Sequence, residues 1–226
     1  CDELGALLLT RDNNDHAKAG NINTALQRTH GDLVLILDCD HIPVRGFLQE
    51  TVGFFQDTQV ALVQTPHWFY NPDPFERNLL TRGKVPVGNE LFYKVLQRGN
   101  DAWNAAFFCG SAAVVRRNYL LEVGGIATET VTEDCHTSLR LHSQGYRSVY
   151  YDKIMVAGLA PETFSSYIGQ QVRWARGMAQ ILRLEWPIFN RRLTFSQRIC
   201  YTSATTHFFF GFPRLMYAIA PLAFFL

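Results

Sequence analysis

The sequence predicts an α/β fold built on a sheet of buried, parallel-type strands. Three observations predict it. Residues 33–37 are an unbroken apolar run, too short for a typical helix, and suit a strand covered on both faces. Other short stretches read as strands at 5–10, 60–64, 112–116 and 147–151. Stretches with helical spacing lie between them, the alternation that builds α/β layers.

In order, residues 5–10 read as a short buried strand and 11–16 as a polar loop. Residues 17–29 have helical spacing at Ala17, Ile22, Ala25 and Leu26, and the helix ends near Gly31. Its first turn carries Lys18 and Gly20 beside free backbone N–H groups. Such a pair can hold an anion, or Lys18 is simply a surface residue. After the strand at 33–37, Pro43 is placed to open a helix with Phe47, Leu48, Val52 and Phe55 as its apolar face. Residues 65–75 are rich in proline and aromatics and are expected to be irregular. Their aromatics line a sugar or base pocket, or only cover the core. Gly110 permits close backbone approach ahead of the strand at 112–116. Thr132 suits the N-cap of a helix running to about Gln144, with Leu139 on its apolar face and Gly145 as its stop. A strand at 147–151 and a long helix at 162–184 follow.

The chain has 226 residues, enough for one domain with a proper core. Charged residues make up 18%, below the ~25% usual for soluble domains. A net charge of +1 gives no long-range pull on nucleic acid, which excludes that class of partner. The five cysteines, at 1, 39, 109, 135 and 200, are odd in number and lack metal-type spacing. They point to a reducing compartment rather than a disulfide framework. The chain opens without an initiator Met or signal peptide, and it stops inside an apolar run, so both ends read as cut. That run, 208–226, carries one charge, Arg214, and approaches the ~20 residues of a membrane span. Gly211, Pro213 and Pro221 are better tolerated in a membrane helix than in the alternative, a buried C-terminal helix. Basic residues within 191–206 precede it, as on the cytoplasmic side of a membrane.

Three polar groups stand out. The 33–37 strand ends in Asp38, Cys39, Asp40 and His41. Strand alternation lets the two carboxylates point the same way, and ligands in open α/β sheets bind just beyond such strand ends. Two carboxylates there repel unless a cation joins them, and hard cations such as Mg²⁺ take oxygen ligands plus substrate phosphates. The pair marks a metal–diphosphate site or a solvated turn. Glu133 and Asp134 open a helix, where the macrodipole favours acids whether or not they do chemistry. The same dipole is expected to keep the Asp134 pKa low. Gln170, Arg173 and Trp174 share one helix face at i, i+3 and i+4. Arg beside Trp can grip a diphosphate and stack a sugar, although a Trp is also often mostly buried.

The order Lys18-Ala-Gly-Asn21, Asp38-x-Asp40-His41, Thr132-Glu-Asp134 and Gln170-x-x-Arg173-Trp174 resembles the processive family-2 glycosyltransferases, and most nearly their bacterial cellulose-synthase branch. Gln64-Thr-Pro-His67, Asn71-Pro-Asp-Pro-Phe75, Phe107-Phe-Cys-Gly-Ser111 and Phe210-Gly-Phe-Pro-Arg-Leu215 agree with it, so the likeness covers nearly the whole chain. It implies a GT-A-type, Rossmann-like nucleotide-diphospho-sugar transferase fold over 1–190 and an interfacial or transmembrane helical segment over 191–226. It implies Mg²⁺ or Mn²⁺ at Asp38, Asp40 and His41. UDP-glucose would meet Lys18, Asp38, Asp40, Gln170 and Arg173, and a growing β-1,4-glucan would meet Trp174, Cys109, Gly110 and His67. Asp134 would be the catalytic base, with Glu133 the next candidate, in a single inverting displacement.

The resemblance also implies a bacterial inner (plasma) membrane location with the catalytic domain cytoplasmic, membrane lipid as a partner, and further synthase subunits. The family's first nucleotide-binding strand would lie before Cys1 and its remaining membrane helices after Leu226, so this stretch alone is not expected to polymerise. Rival readings are another processive synthase, making chitin, hyaluronan, mannan or β-1,3-glucan, and a catalytically idle sugar-binding membrane subunit. Asp38, Asp40 and Asp134 are all present, which speaks against the idle form.

Overall fold

The structure is a computed structural model that describes residue 3, residues 5–84 and residues 88–224. Along the chain run α1 (Ala17–Arg28), β1 (Leu33–Ile36), β2 (Ile42–Pro43), α2 (Phe47–Thr51), β3 (Val60–Gln64), β4 (His67–Phe69) and α3 (Pro74–Leu79). Then come α4 (Gly88–Leu91), a π-helical turn (Phe92–Gln97), α5 (Arg98–Asp101), β5 (Ala113–Arg116), α6 (Arg117–Glu122), α7 (Glu133–Ser143) and β6 (Arg147–Tyr150). The last are β7 (Val156–Gly158), α8 (Phe164–Glu185), α9 (Phe195–Thr206) and α10 (Gly211–Ile219).

The main sheet has four strands in the order β1-β5-β3-β6. It is mixed rather than parallel: β5 runs antiparallel to both β1 and β3, and only β6 is parallel to β3. An apolar run reports burial and not strand direction, which is why the sequence suggested otherwise. Alternation splits the sheet between two apolar layers. Ile36, Leu62, Ala113 and Val115 pack with Ala19 and Leu26 of α1, Leu120 of α6 and Leu141 of α7. Val60, Val63 and Val114 face Phe47, Phe55, Met155 and Val156. Each Val, Leu, Ile, Phe or Met among them contributes about 1.5–3 kcal/mol when buried. A third cluster joins Cys135 and Leu139 of α7 to Ile181 of α8 and to Leu193 and Tyr201, so α9 packs on the same body.

A three-stranded sheet, β2-β7-β4, lies beside the end of β1. It accounts for two differences from expectation. Pro43 does not open a helix; it pairs with Val156 in a two-residue edge strand, where a missing N–H is tolerated. Residues 65–75 are not wholly irregular, because His67–Phe69 pair with β7. They also contain the start of α3, whose capping box was written in the sequence. Asp73 accepts from the Phe75 and Glu76 N–H groups, Glu76 accepts from the Asp73 N–H, and Pro74 takes the first helical position.

Residues 6–10 form no strand. Thr132 does precede α7, yet its hydroxyl makes no capping bond. Gly145, at φ +86°, ends that helix as expected. Among the described residues no helix is long and apolar enough to cross a membrane. The apolar tail is broken into α10 between two 3-10 segments, His207–Phe210 and Ala220–Phe224, and residues 225–226 lie outside the described ones. It is not a buried C-terminal helix either: Phe209, Leu215, Met216, Ile219 and Leu222 are all exposed.

Candidate functional site

The strand β1 stops at Ile36, so Asp38 and Asp40 sit on a turn rather than on the strand. The turn is closed by the His41 N–H donating to the Asp38 carbonyl at 3.0 Å. It gathers one ligand atom each from Asp38, Asp40 and His41 within 4.8 Å of one another. Lys18, in the first turn of α1, donates its ammonium to Asp38 Oδ1 and to the Gly110 carbonyl. It is therefore part of the site and not a plain surface residue.

The segment 107–111 has no regular structure, and two fully buried glutamines hold it. Gln64 accepts the Cys109 N–H at 2.9 Å and donates to the Ser111 and Thr65 carbonyls at 2.8 Å. Gln97 donates to the Phe107 carbonyl at 3.1 Å and to Cys109 Sγ at 2.9 Å. Burial pushes the Cys109 thiol well above its ordinary pKa, so it stays protonated. Gly110 has φ +84°, and a Cβ there would lie 3.3 Å from Asp134 Oδ2. The loop thus passes its barest backbone in front of that carboxylate.

Ser111 Oγ accepts the Asp38 N–H at 2.8 Å and stands 2.6 Å from His41 Nδ1. His67 Nε2 lies 2.9 Å from the Ser111 carbonyl. A carbonyl can only accept, so the proton sits on Nε2, and His67 Nδ1 accepts the Tyr93 hydroxyl at 2.8 Å. Burial brings the His67 pKa down to about 4, leaving the ring neutral. With both nitrogens engaged, His67 has only ring surface to offer an acceptor.

Asp134 overturns the helix-dipole expectation. Burial, and then the neighbouring Glu133 carboxylate, push its pKa up to about 7, against the Cys135 N–H and the Lys18 charge. Desolvation wins over the dipole here. Its Oδ1 accepts the Cys135 N–H at 2.8 Å. Among the described residues nothing hydrogen-bonds Oδ2. Burial also raises Glu133, while the charges of Lys18 and Arg173 act the other way, so α8 brings its arginine near the acids of α7.

Arg173 and Gln170 line a cleft of about 400 Å³ with Leu159, Ala160, Pro161 and Ser166. Arg173 is exposed, and Trp174 is half-buried on the same face. The helix α8 can lie this close because Gly177 has no side chain: a Cβ there would stand 2.4 Å from Thr132 Oγ1. Gln180 accepts the Val131 N–H at 2.9 Å, and Glu185 pairs with His136 at 2.9 Å. Sequence reasoning missed Gln97, Tyr93 and Gly177, and it quoted Gln64 and Ser111 without giving them roles. Only Gly177 left a usable signal, as an isolated glycine inside a helical pattern.

The layered arrangement is a GT-A-like glycosyltransferase fold. The mannosyltransferase PcManGT from Pyrobaculum calidifontis, solved with GDP-Man and Mn²⁺, matches with a TM-score of 0.61 at 23% identity, over 90% of this chain and 55% of that one. TarS 1-349 of S. aureus, solved with UDP-GlcNAc, matches at 0.55 and 13% identity, over 91% of this chain and 56% of that one. At such identities the likeness concerns the fold alone.

The chain belongs to glycosyl transferase family group 2, whose profile matches residues 33–226. It is 59% identical over 217 residues to the cellulose synthase catalytic subunit [UDP-forming] of Xanthomonas axonopodis pv. citri (strain 306). It is 53% identical to the protein of the same name from Pseudomonas fluorescens (strain SBW25). These alignments cover 96% and 99% of this chain, which spans 30% of either relative's length.

Proposed function

We propose that this chain carries the transfer site of a UDP-forming cellulose synthase. It moves glucose from UDP-glucose to the non-reducing end of a growing β-1,4-glucan, with inversion. The observation that carries this reading is Asp134: a carboxyl with a pKa of about 7, its Oδ2 open beside Gly110, in one electrostatic cluster with Lys18 and Asp38. A general base serves best when its pKa lies near the working pH. The relatives named above support the donor and the polymer.

Asp38, Asp40 and His41 fit a hard divalent ion, Mg²⁺ or Mn²⁺. Two carboxylates and an imidazole form the donor set, and Gly158 makes room for the His41 ring, since a Cβ there would stand 2.2 Å from Cδ2 and 2.4 Å from Nε2. Bound there, the ion would neutralise charge gathering on the UDP leaving group. The chain's own residues do the rest. Lys18 and Arg173 supply fixed positive charge for the diphosphate. Asp134 Oδ2 takes the proton of the acceptor hydroxyl as that oxygen attacks the anomeric carbon. Trp174 offers its indole face to the acceptor sugar, and Gln64 and Gln97 keep the 107–111 loop in place. His67, with both ring nitrogens engaged and its pKa lowered to about 4, is no base, and the protonated Cys109 is no nucleophile, in keeping with single displacement.

The proposal extends to location: the exposed apolar tail lies in a bacterial inner membrane, with the α/β body cytoplasmic and further synthase subunits beside it. Exposed Phe209, Leu215 and Ile219 support this, as do Arg191, Arg192 and Arg198 ahead of them. The test is paired and uses the full-length protein. Asp134→Asn should lower polymer synthesis by roughly 10²–10⁴ with UDP-glucose affinity unchanged. Wild-type product should be cleaved by a β-1,4-specific glucanase. Synthesis at near wild-type rate by Asp134→Asn moves the base elsewhere, with Glu133 next. A product resistant to the glucanase makes this another processive synthase.

A further inference from the structure

We infer that Ser111 is a positioning residue for the cation turn, and that its hydroxyl, together with the Lys18 ammonium, makes this turn and the 107–111 loop a single mechanical unit. The inference rests on the metal–diphosphate reading of Asp38, Asp40 and His41. Ser111 is fully buried, and it lies 73 and 70 residues from the two groups its hydroxyl touches. Those groups, the Asp38 N–H and His41 Nδ1, are the two ends of the turn. The hydroxyl bridges them at 2.8 and 2.6 Å. The Ser111 carbonyl is itself fixed, accepting from His67 Nε2 at 2.9 Å and from Gln64 Nε2 at 2.8 Å. Ser111 cannot shift without breaking hydrogen bonds at a site water does not reach.

The same contacts set the His41 ring. When Nδ1–H donates to Ser111 Oγ, the lone pair remains on Nε2. Beside Nε2 lies Gly158, where a Cβ would come within 2.2 Å of Cδ2 and 2.4 Å of Nε2. The His67 ring packs edge-on from a third side, its centroid 4.7 Å away. A hydrogen bond, a bare backbone and an aromatic edge together leave His41 one orientation. Ligating imidazoles are held in this way, and losing the outer partner typically weakens metal binding by about 10–100-fold.

Ser111 also directly follows Gly110, whose carbonyl accepts the Lys18 ammonium and whose Cα faces Asp134 Oδ2. Capture of the cation at the turn is therefore coupled to the placement of backbone beside the base.

The test is Mn²⁺ binding to the full-length protein, followed by electron paramagnetic resonance with UDP present and no acceptor, so that no turnover contributes. Ser111→Ala should raise the Mn²⁺ dissociation constant by about 10–100-fold. Affinity for UDP without metal should not change, whereas general damage to the fold would lower both. Ser111→Cys keeps the shape with a weak acceptor and should fall between alanine and wild type; it serves if the alanine variant does not fold. Gly158→Ala pushes the ring from the other side and should weaken Mn²⁺ to a similar degree. A folded Ser111→Ala protein that binds Mn²⁺ within about twofold of wild type overturns the inference. Asp40→Ala separates this from failure of the metal reading. If Asp40→Ala abolishes Mn²⁺-dependent UDP binding while Ser111→Ala does not weaken it, only the role of Ser111 is rejected. If Asp40→Ala binds Mn²⁺ as wild type does, the metal site itself is rejected.

Discussion

Removing the charge of Asp134 should stabilise the fold while it ends synthesis. The carboxyl moves from an ordinary 3.8 to about 7. At ~1.4 kcal/mol per decade that is a difference of ~4 kcal/mol between its two protonation states. Asp134 keeps some solvent contact, and screening there reduces the figure to ~1–3 kcal/mol. Between about pH 4 and pH 7 the folded chain holds a proton that the unfolded chain releases. This contribution to stability is full below about pH 4 and is lost as pH rises through about 7. Asparagine cannot titrate, and its Oδ1 still accepts the Cys135 N–H, so Asp134→Asn should lack the decline. The assay is thermal unfolding of both proteins without nucleotide at about pH 4.5, 6 and 8. The variant should gain on wild type as pH rises, reaching about 2–12 °C in Tm at pH 8, at roughly 2–4 °C per kcal/mol for a domain of this size. Wild-type transfer should rise as pH passes about 7 and Asp134 ionises. If the two proteins lose Tm in parallel across this range, Asp134 holds no such proton and the reasoning fails.

Three further outcomes are expected. Gly177→Ala drives a methyl to 2.4–2.6 Å from Thr132 and should cost about 1–3 kcal/mol of stability along with synthesis, whereas Gly169→Ala, with nothing within 4 Å on the same helix, should melt no lower than wild type. Trp174→Ala should slow elongation more than it weakens UDP-glucose binding in calorimetry; equal losses would make Trp174 a packing residue. The chain with residues 207–226 should sediment with lipid vesicles and should stay in solution once they are removed, and a vesicle-free monomer with the tail intact would refute the membrane proposal.

What could be read from the sequence was what is local in it. The Asp38–His41 turn, the start of α1 at Lys18 and the Gln170–Trp174 face are each set within a few residues, and all were visible. The Asp73 capping box is equally local, but the prolines around it pointed to irregular structure. The contacts that hold the site together are not local. Ser111 reaches back about seventy residues to the turn, and Gln64 reaches forward more than forty to Cys109, so no spacing rule reveals them. Strand direction was hidden for a similar reason, since β5 enters between β1 and β3 from far along the chain. The pKa of Asp134 was misjudged because its place at a helix start can be read from sequence, while its burial under Gly110 and beside Glu133 cannot.

Gln64 shows how narrow the choice of side chain can be at a position that touches no substrate. Its amide oxygen serves the Cys109 N–H, and its amide nitrogen serves the Thr65 and Ser111 carbonyls. Glutamate has the same outline but would turn an acceptor toward two carbonyls. Leucine has the right bulk but would strand the Cys109 N–H and the Thr65 carbonyl, and would leave the Ser111 carbonyl to His67 alone. Asparagine is one methylene short. Next to it, Val63 is just as deeply buried and could become isoleucine at the expense of a small repacking. Two adjacent residues of one strand thus differ sharply in how freely they can vary, and the stricter of the two is the one that carries the loop.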